Sequence, residues 1–264
     1  MERMKGFEWE DQSWFPHFLR QYMMDFLRFV LNTGNLYEPI TKLLWQGLQQ
    51  SGSRTVVDLC SGGGGAIPVV QKNLRKYSGA IVPFTLTDLY PNTEPGKRVQ
   101  PQPGNTLFYY PHPVNAADVP QTLAGFRTMF SAFHHFDEDT AKTVLQNAVD
   151  AGEGIAIFDG DRSVWFVLLI LLFQPIAFLL FTPFIKPFSV GRLVFTYLLP
   201  VVPFCTMWDG VVSVLRLYTS AGMVQLSREA DKNGTYSWLV GKVTNRFGLS
   251  IVYLVGVPVP HKPD

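Results

Sequence analysis

Charge is what this sequence has least of. Only 16% of its 264 residues are charged, against 47% hydrophobic, where a soluble domain carries about 25% charge. The deficit is local: from Ser163 to Trp208 the only charged side chains are Lys186 and Arg192, and the rest of the chain has ordinary globular composition. Basic residues number 22 and acidic residues 21, with no long run of either sign, so the electrostatic footprint of a nucleic-acid partner is absent. Cysteine is nearly missing as well. Cys60 and Cys205 are the only two, which excludes a disulfide-stapled secreted scaffold and points to a reducing compartment. The opening MERMKGFEWEDQSW lacks the apolar run of a secretory signal, so a cytoplasmic start is expected. Histidine is sparse too: His17, His112 and His261 share no ligand spacing with cysteines or carboxylates, and no metal site is expected.

What is present has two periods. Phe15, Phe18, Leu19, Tyr22, Phe26, Leu27 and Val30 recur at helical spacing, and a second helix is expected over residues 38–50. Strands are then expected at 55–57, 81–87, 106–110, 128–133 and 154–158, with helices at 66–77 and after Asp137, a residue suited to cap one. Strands alternating with helices argue a parallel α/β sheet. Beyond the apolar stretch, 211–217 reads as a helix, Ser220 as the cap of another, and Tyr236–Val243 with Leu249–Val255 as a hairpin.

The glycines at 62–65 follow a buried-type strand and precede a helix, the context in which a glycine turn brings backbone amides close to a nucleotide-type ligand. The dinucleotide pattern Gly-x-Gly-x-x-Gly fails, because Ile67 or Pro68 stands at its third glycine, and a nucleoside-triphosphate loop would need a Lys-Ser or Lys-Thr that is missing. Asp58 stands at the strand end instead. A carboxylate there repels a pyrophosphate and suits a cationic ligand.

VVDLCSGGGG, TLTDLYPN, PVNAADVP and RTMFSAFHHF together resemble the signature segments of the class I S-adenosylmethionine-dependent methyltransferases. The resemblance covers about 54–160 and resumes through WDGVVSVLRLYTSAGM and the closing hairpin; FEWEDQSWFP is similar to the opening of a bacterial subgroup. It implies a doubly wound, mostly parallel seven-stranded Rossmann-like sheet with a C-terminal antiparallel hairpin and N-terminal helices. It implies S-adenosyl-L-methionine as cofactor, held by Asp58, Cys60, Ser61, Gly62, Gly63 and Gly64, with Cys60 where a glycine commonly sits. Asp88 would hold the ribose hydroxyls, and Asn115 with Ala116 the adenine, Asp118 being the competing choice to Asn115. His134 and His135, after the fourth strand, are the candidate catalytic bases for a hydroxyl acceptor. Two other functions fit less well: a nicotinamide-dependent oxidoreductase, and a non-catalytic membrane module that keeps the cofactor fold.

Four segments follow: an N-terminal helical cap over 1–53, a cofactor-binding core over 54–162, a hydrophobic insert over 163–208, and the rest of the core over 209–264. Residues 164–185 carry no charge and as a helix would span a bilayer core of about 30 Å. The chain must return to the side it left, since strands before and after the insert share one sheet. Two full crossings would leave Lys186 and Arg192 outside, against the tendency of basic residues to stay cytoplasmic. A helical hairpin embedded in one leaflet, on the cytoplasmic face of the inner membrane, is therefore the expectation, the alternatives being two crossings and a soluble block that forms a dimer interface or hydrophobic lid; a small lipophilic acceptor (quinone-like, isoprenoid or fatty) would reach the site from the lipid.

Overall fold

In a computed structural model of the chain, residues 3, 6–91 and 106–259 are described. The short β-branched and aromatic runs pair into one seven-stranded sheet in the order β3-β2-β1-β4-β5-β7-β6. These are β1 (Val56–Asp58), β2 (Phe84–Leu86), β3 (Leu107–Tyr109), β4 (Phe126–Phe130), β5 (Ile155–Gly160), β6 (Tyr236–Thr244) and β7 (Ser250–Pro258). The first five are parallel, and β7 runs antiparallel between β5 and β6. Their carboxyl ends open on one edge, and the order reverses between β1 and β4, the place where such sheets bind ligands.

Strand periodicity divides the core in two. Val56, Phe84, Phe126, Ala156 and Phe158 face α2 (Thr41–Ser51) and α3 (Ile67–Ser78), while Val57, Met129, Ile155 and Ile157 face α4 (Glu138–Asp150) and α8 (Ser220–Ala230). Asp137 caps α4 as expected, accepting from the Thr140 amide at 2.9 Å. At α8 the cap is Thr219, which accepts from the Gly222 amide at 3.1 Å, and Ser220 is the first helical residue. Strand 81–87 shortens to β2 because Pro83 cannot donate to the ladder. Strand 128–133 shifts back to β4 because Ser131 turns into the left-handed region at φ 47°. The helix expected at 38–50 is a 3-10 turn followed by α2, which packs on the sheet as part of the core layer.

The apolar stretch folds as α5 (Val164–Phe181), α6 (Val190–Leu193), a five-residue π-helical turn, and α7 (Val201–Arg216). α7 runs unbroken through position 208 and ends in the core. The two helical pieces 190–198 and 201–216 meet at 78°, at Pro200, whose ring cannot continue the helix. Gly210 lets α5 and α7 approach: a Cβ there would sit 3.3 Å from Ile170 and Gln174. Only Phe178 is buried within α5; Trp165, Leu172, Phe173, Leu180, Phe184 and Phe188 are exposed.

Phe178 stacks on Phe26 of α1 (His17–Thr33), with ring centroids 3.6 Å apart. The turn that follows α5 is tied to the same helix. Arg192 is buried and meets Asp25 at 3.0 Å, the Ser189 hydroxyl donates to the Tyr22 hydroxyl at 3.1 Å, and Arg28 donates to the Lys186 carbonyl at 2.9 Å. Arg192 is thus an internal fastener. Removing one member of a buried pair leaves the other charge uncompensated. Arg192→Met should lower unfolding stability by about 3–5 kcal/mol, read as a fall in the denaturant midpoint, with a partial recovery in the Asp25→Asn/Arg192→Met double variant.

Candidate active site

The turn after β1 is built by its own side chains. Asp58 is buried; one carboxylate oxygen accepts from the Ser61 hydroxyl at 2.6 Å and the other from the Thr128 hydroxyl at 2.7 Å. Burial pushes its carboxyl up to about 7, with the Asp88 charge adding to the rise and the two hydroxyls opposing it. Asp58 thus holds the turn in shape through both hydroxyls. Cys60 adopts φ 56°, the left-handed conformation that favours glycine, which accounts for the residue this position commonly holds in the sequences it resembles.

Asp88 stands just beyond β2 and closes on the same turn. Its Oδ2 accepts from the Gly62 amide at 2.8 Å and its Oδ1 from the Tyr90 amide at 2.9 Å. A carboxylate has about four acceptor sites, so two remain for a diol. A Cβ at Gly64, which has φ 88°, would stand 2.5 Å from the Tyr109 hydroxyl, so the backbone here passes where no side chain fits. Asn115 lies on the next loop, fastened to β2 by the Val114 amide bonding the Asp88 carbonyl at 2.9 Å. Its side chain is exposed and accepts from the Ala117 amide at 3.0 Å, while Ala116 is buried. The structure thus gathers Asp58, Cys60 to Gly64, Asp88 and Asn115 on the β1–β3 side of the sheet edge. Asn92, the last residue of the second signature segment, and His261 lie outside the described residues.

His134 and His135 form a 3-10 turn after β4, their rings 4.4 Å apart. They differ in role. His134 is buried; its Nδ1 lies 2.9 Å from Asp159 Oδ2 and its amide donates to the same oxygen at 3.1 Å. Asp159 thereby orients the ring with Nδ1 toward the carboxylate and Nε2 on the opposite side. Nε2 is buried with no hydrogen-bond partner among the described residues. His135 faces three carboxylates, with Asp11 at 3.1 Å, Glu8 at 3.4 Å and Glu10 at 4.0 Å. Burial alone would depress its pKa, but the Asp11 hydrogen bond and the charges of Glu8, Asp11 and Glu10 outweigh it and raise it to about 9. His135 is thus protonated at neutral pH and cannot serve as a base.

Asp159, Glu8, Glu10, Asp11 and Arg216 escaped sequence reasoning. Arg216 bridges Glu8 at 3.2 Å and Asp11 at 2.9 Å and donates to the His135 carbonyl at 2.8 Å. Asp209 of α7 accepts from the Trp9 and Glu10 amides at 2.7 and 3.1 Å, which lays the FEWEDQSW segment over the histidines. In the sequence that segment is marked by its resemblance and by its alternation of acidic and tryptophan residues. The expected lack of metal-ligand spacing holds along the sequence, but the fold brings Glu8, His134 and His135 together, each with a ligand atom within 4.8 Å of the others.

Among solved structures the chain is similar to PigF, determined with SAH, at 12% identity and a TM-score of 0.51, over 93% of this chain and 62% of that one. The fold is the Rossmann-like methyltransferase fold. LepI in complex with SAM matches at 19% identity and a TM-score of 0.48, over 82% of this chain and 46% of its own. A SAM-dependent methyltransferase from Aquifex aeolicus matches at 13% identity and a TM-score of 0.42, over 86% and 92%. The chain spans less than two thirds of the PigF and LepI chains. No family model and no curated protein matches the chain.

Proposed function

We propose that this protein is an S-adenosylmethionine-dependent methyltransferase acting on a small lipophilic acceptor at a membrane surface. The observation that carries the reading is the Asp88–Gly62 contact: an acidic strand end clamped on a glycine turn at the switch point of this particular sheet. That turn offers amides and carboxylates and no phosphate-binding lysine, a donor set suited to a cationic amino acid joined to a nucleoside. Gly62 and Gly64 leave the close backbone approach that such a ligand needs. When bound, S-adenosylmethionine supplies an electrophilic methyl group on a positively charged sulfur.

The chain's own part is alignment and proton management. Asp58 holds the turn in shape through Ser61 and Thr128, and Gly62, Gly63 and Gly64 present amides to the amino-acid end. Asp88 takes the ribose hydroxyls and the Asn115–Ala116 loop flanks the base. His134 activates the acceptor through Nε2, and Asp159 is the positioning residue that sets the tautomer. His135 and Arg216 hold the FEWEDQSW segment over the turn and exclude water.

The membrane half of the proposal rests on the exposed apolar face. Residues 164–184 form the one helix among the described residues long and apolar enough to cross a bilayer, with mean hydropathy 2.6. Exposed apolar side chains gathered along one helix in this way mark membrane or partner contact. Two crossings would carry the 185–192 turn to the far side, yet that turn is bonded to α1, which carries Arg20, Asp25 and Arg28. A hairpin lying in the cytoplasmic leaflet of the inner membrane keeps those contacts. The test is methyl-tritiated cofactor given to the membrane-bound full chain with a lipid extract. Label is expected in the organic phase only when both protein and extract are present; label confined to water-soluble acceptors would overturn the lipophilic assignment.

A further inference from the structure

Beneath the FEWEDQSW segment two buried polar atoms, Glu8 Oε2 and His134 Nε2, have no hydrogen-bond partner among the described residues, Glu8 Oε2 facing only the His135 Nδ1 at 3.4 Å. Buried polar groups are nearly always satisfied, and a group left over points to a water or ion that belongs there. Here one is a carboxylate oxygen and the other an imidazole nitrogen, the donor types of a divalent cation. Glu8 is fully buried. Its other oxygen is already taken by Arg216 at 3.2 Å and the Ser213 hydroxyl at 3.1 Å, which orients Oε2. The His134 ring is oriented from behind in the same way by Asp159 at 2.9 Å, the carboxylate–histidine arrangement that backs metal-binding imidazoles.

We propose that Glu8, His134 and His135 form a site for one first-row divalent cation, which on binding displaces the proton His135 otherwise holds, with Asp159 orienting the His134 ring and Arg216 with Ser213 orienting Glu8. Two imidazoles and one carboxylate make a donor set of intermediate softness, suited to zinc, manganese or iron(II) more than to magnesium or calcium. The set leaves coordination positions for water or for an oxygen of the acceptor. With the cation on Nε2, acceptor activation passes from proton removal by the imidazole to polarisation of the acceptor oxygen by the cation. Glu10 remains close enough to His135, at 4.0 Å, to balance charge at the rim.

The experiment uses the untagged full chain in detergent, stripped with chelator and titrated with Zn2+ and Mn2+ by calorimetry, and separately with Co2+ followed by visible absorption. One equivalent per chain at micromolar affinity or tighter is expected, with the d–d bands of nitrogen and oxygen ligation in the Co2+ spectrum. Glu8→Gln and His134→Gln should each weaken binding at least tenfold, and Asp159→Asn about 10–100-fold. Wild-type protein that takes up no cation below 100-fold excess over protein ends the proposal, whatever the variants do. Binding unchanged in both Glu8→Gln and His134→Gln, with their melting curves intact, places the cation elsewhere and equally ends it. Loss of cation uptake would leave the methyltransferase reading standing, with His134 removing the proton itself.

Discussion

His134→Gln lowers kcat by about 10²–10⁴-fold, the range that a positioned proton-transfer or activating group contributes, while cofactor affinity stays within about threefold of wild type. The split follows from position. His134 hangs from the end of β4 and is held by Asp159 of β5, whereas the cofactor turn follows β1 and β2 on the other side of the switch point. Asp159→Asn should act in the same direction without touching the acceptor, because an amide accepts through one oxygen and no longer dictates which ring nitrogen carries the proton. Single-turnover methyl transfer at saturating cofactor, set beside a binding titration, separates these effects. An equal loss of both quantities in His134→Gln would mean that the residue supports the fold instead of the reaction.

Asp88→Ala raises the cofactor dissociation constant about 100-fold and leaves the folded state intact. Hydrogen bonds to a charged group contribute about 1.5–3 kcal/mol each, and a diol makes two; about 1.4 kcal/mol corresponds to a factor of ten. The same substitution also frees the Gly62 amide from its 2.8 Å bond, so the glycine turn loses its outer clamp as well as the ligand contact. Asp58→Asn behaves differently. Its carboxylate already serves Ser61 and Thr128, and replacing it disturbs the shape of the turn and hence protein stability together with binding. Calorimetry on the two variants, with thermal melts alongside, distinguishes a contact from a foundation.

The parts of this site that were legible in the sequence are those whose logic is local. Asp58, the four glycines and Asp88 lie within a strand, a turn and the next strand end, so residue type and spacing alone place them on one edge. Cys60 looked like a departure and becomes intelligible once its backbone is known to be left-handed. The unread parts depend on contacts between distant segments. Asp159 follows a strand expected to end at Phe158, and only the parallel register of Phe130 with Phe158 brings it beside His134. Glu8 reaches the histidines because Asp209, midway along α7, binds the Trp9 and Glu10 amides. Arg192 is an isolated charge in an apolar stretch, and only the fold sets Asp25 of α1 opposite it.

The low charge of the chain likewise acquires a physical address. α5 exposes Leu168, Leu172, Ile176 and Leu180 while burying only Phe178. The exposed aromatic residues Trp165, Tyr197 and Trp208 belong to the types that settle at a membrane interface. α1 contributes Phe18 and Leu27 to the exposed apolar residues, so the exposed apolar surface includes part of the N-terminal helix as well as the insert. A substrate entering from the leaflet would meet α1, α5 and α7 before the histidine turn, to which α7 is joined through Arg216.

The most direct test of the central claim is a calorimetric titration of the purified full chain with S-adenosylmethionine and, in a parallel cell, with NADH. The account predicts saturable binding of one S-adenosylmethionine per chain and no heat from NADH. Saturable NADH binding with no response to S-adenosylmethionine would contradict it.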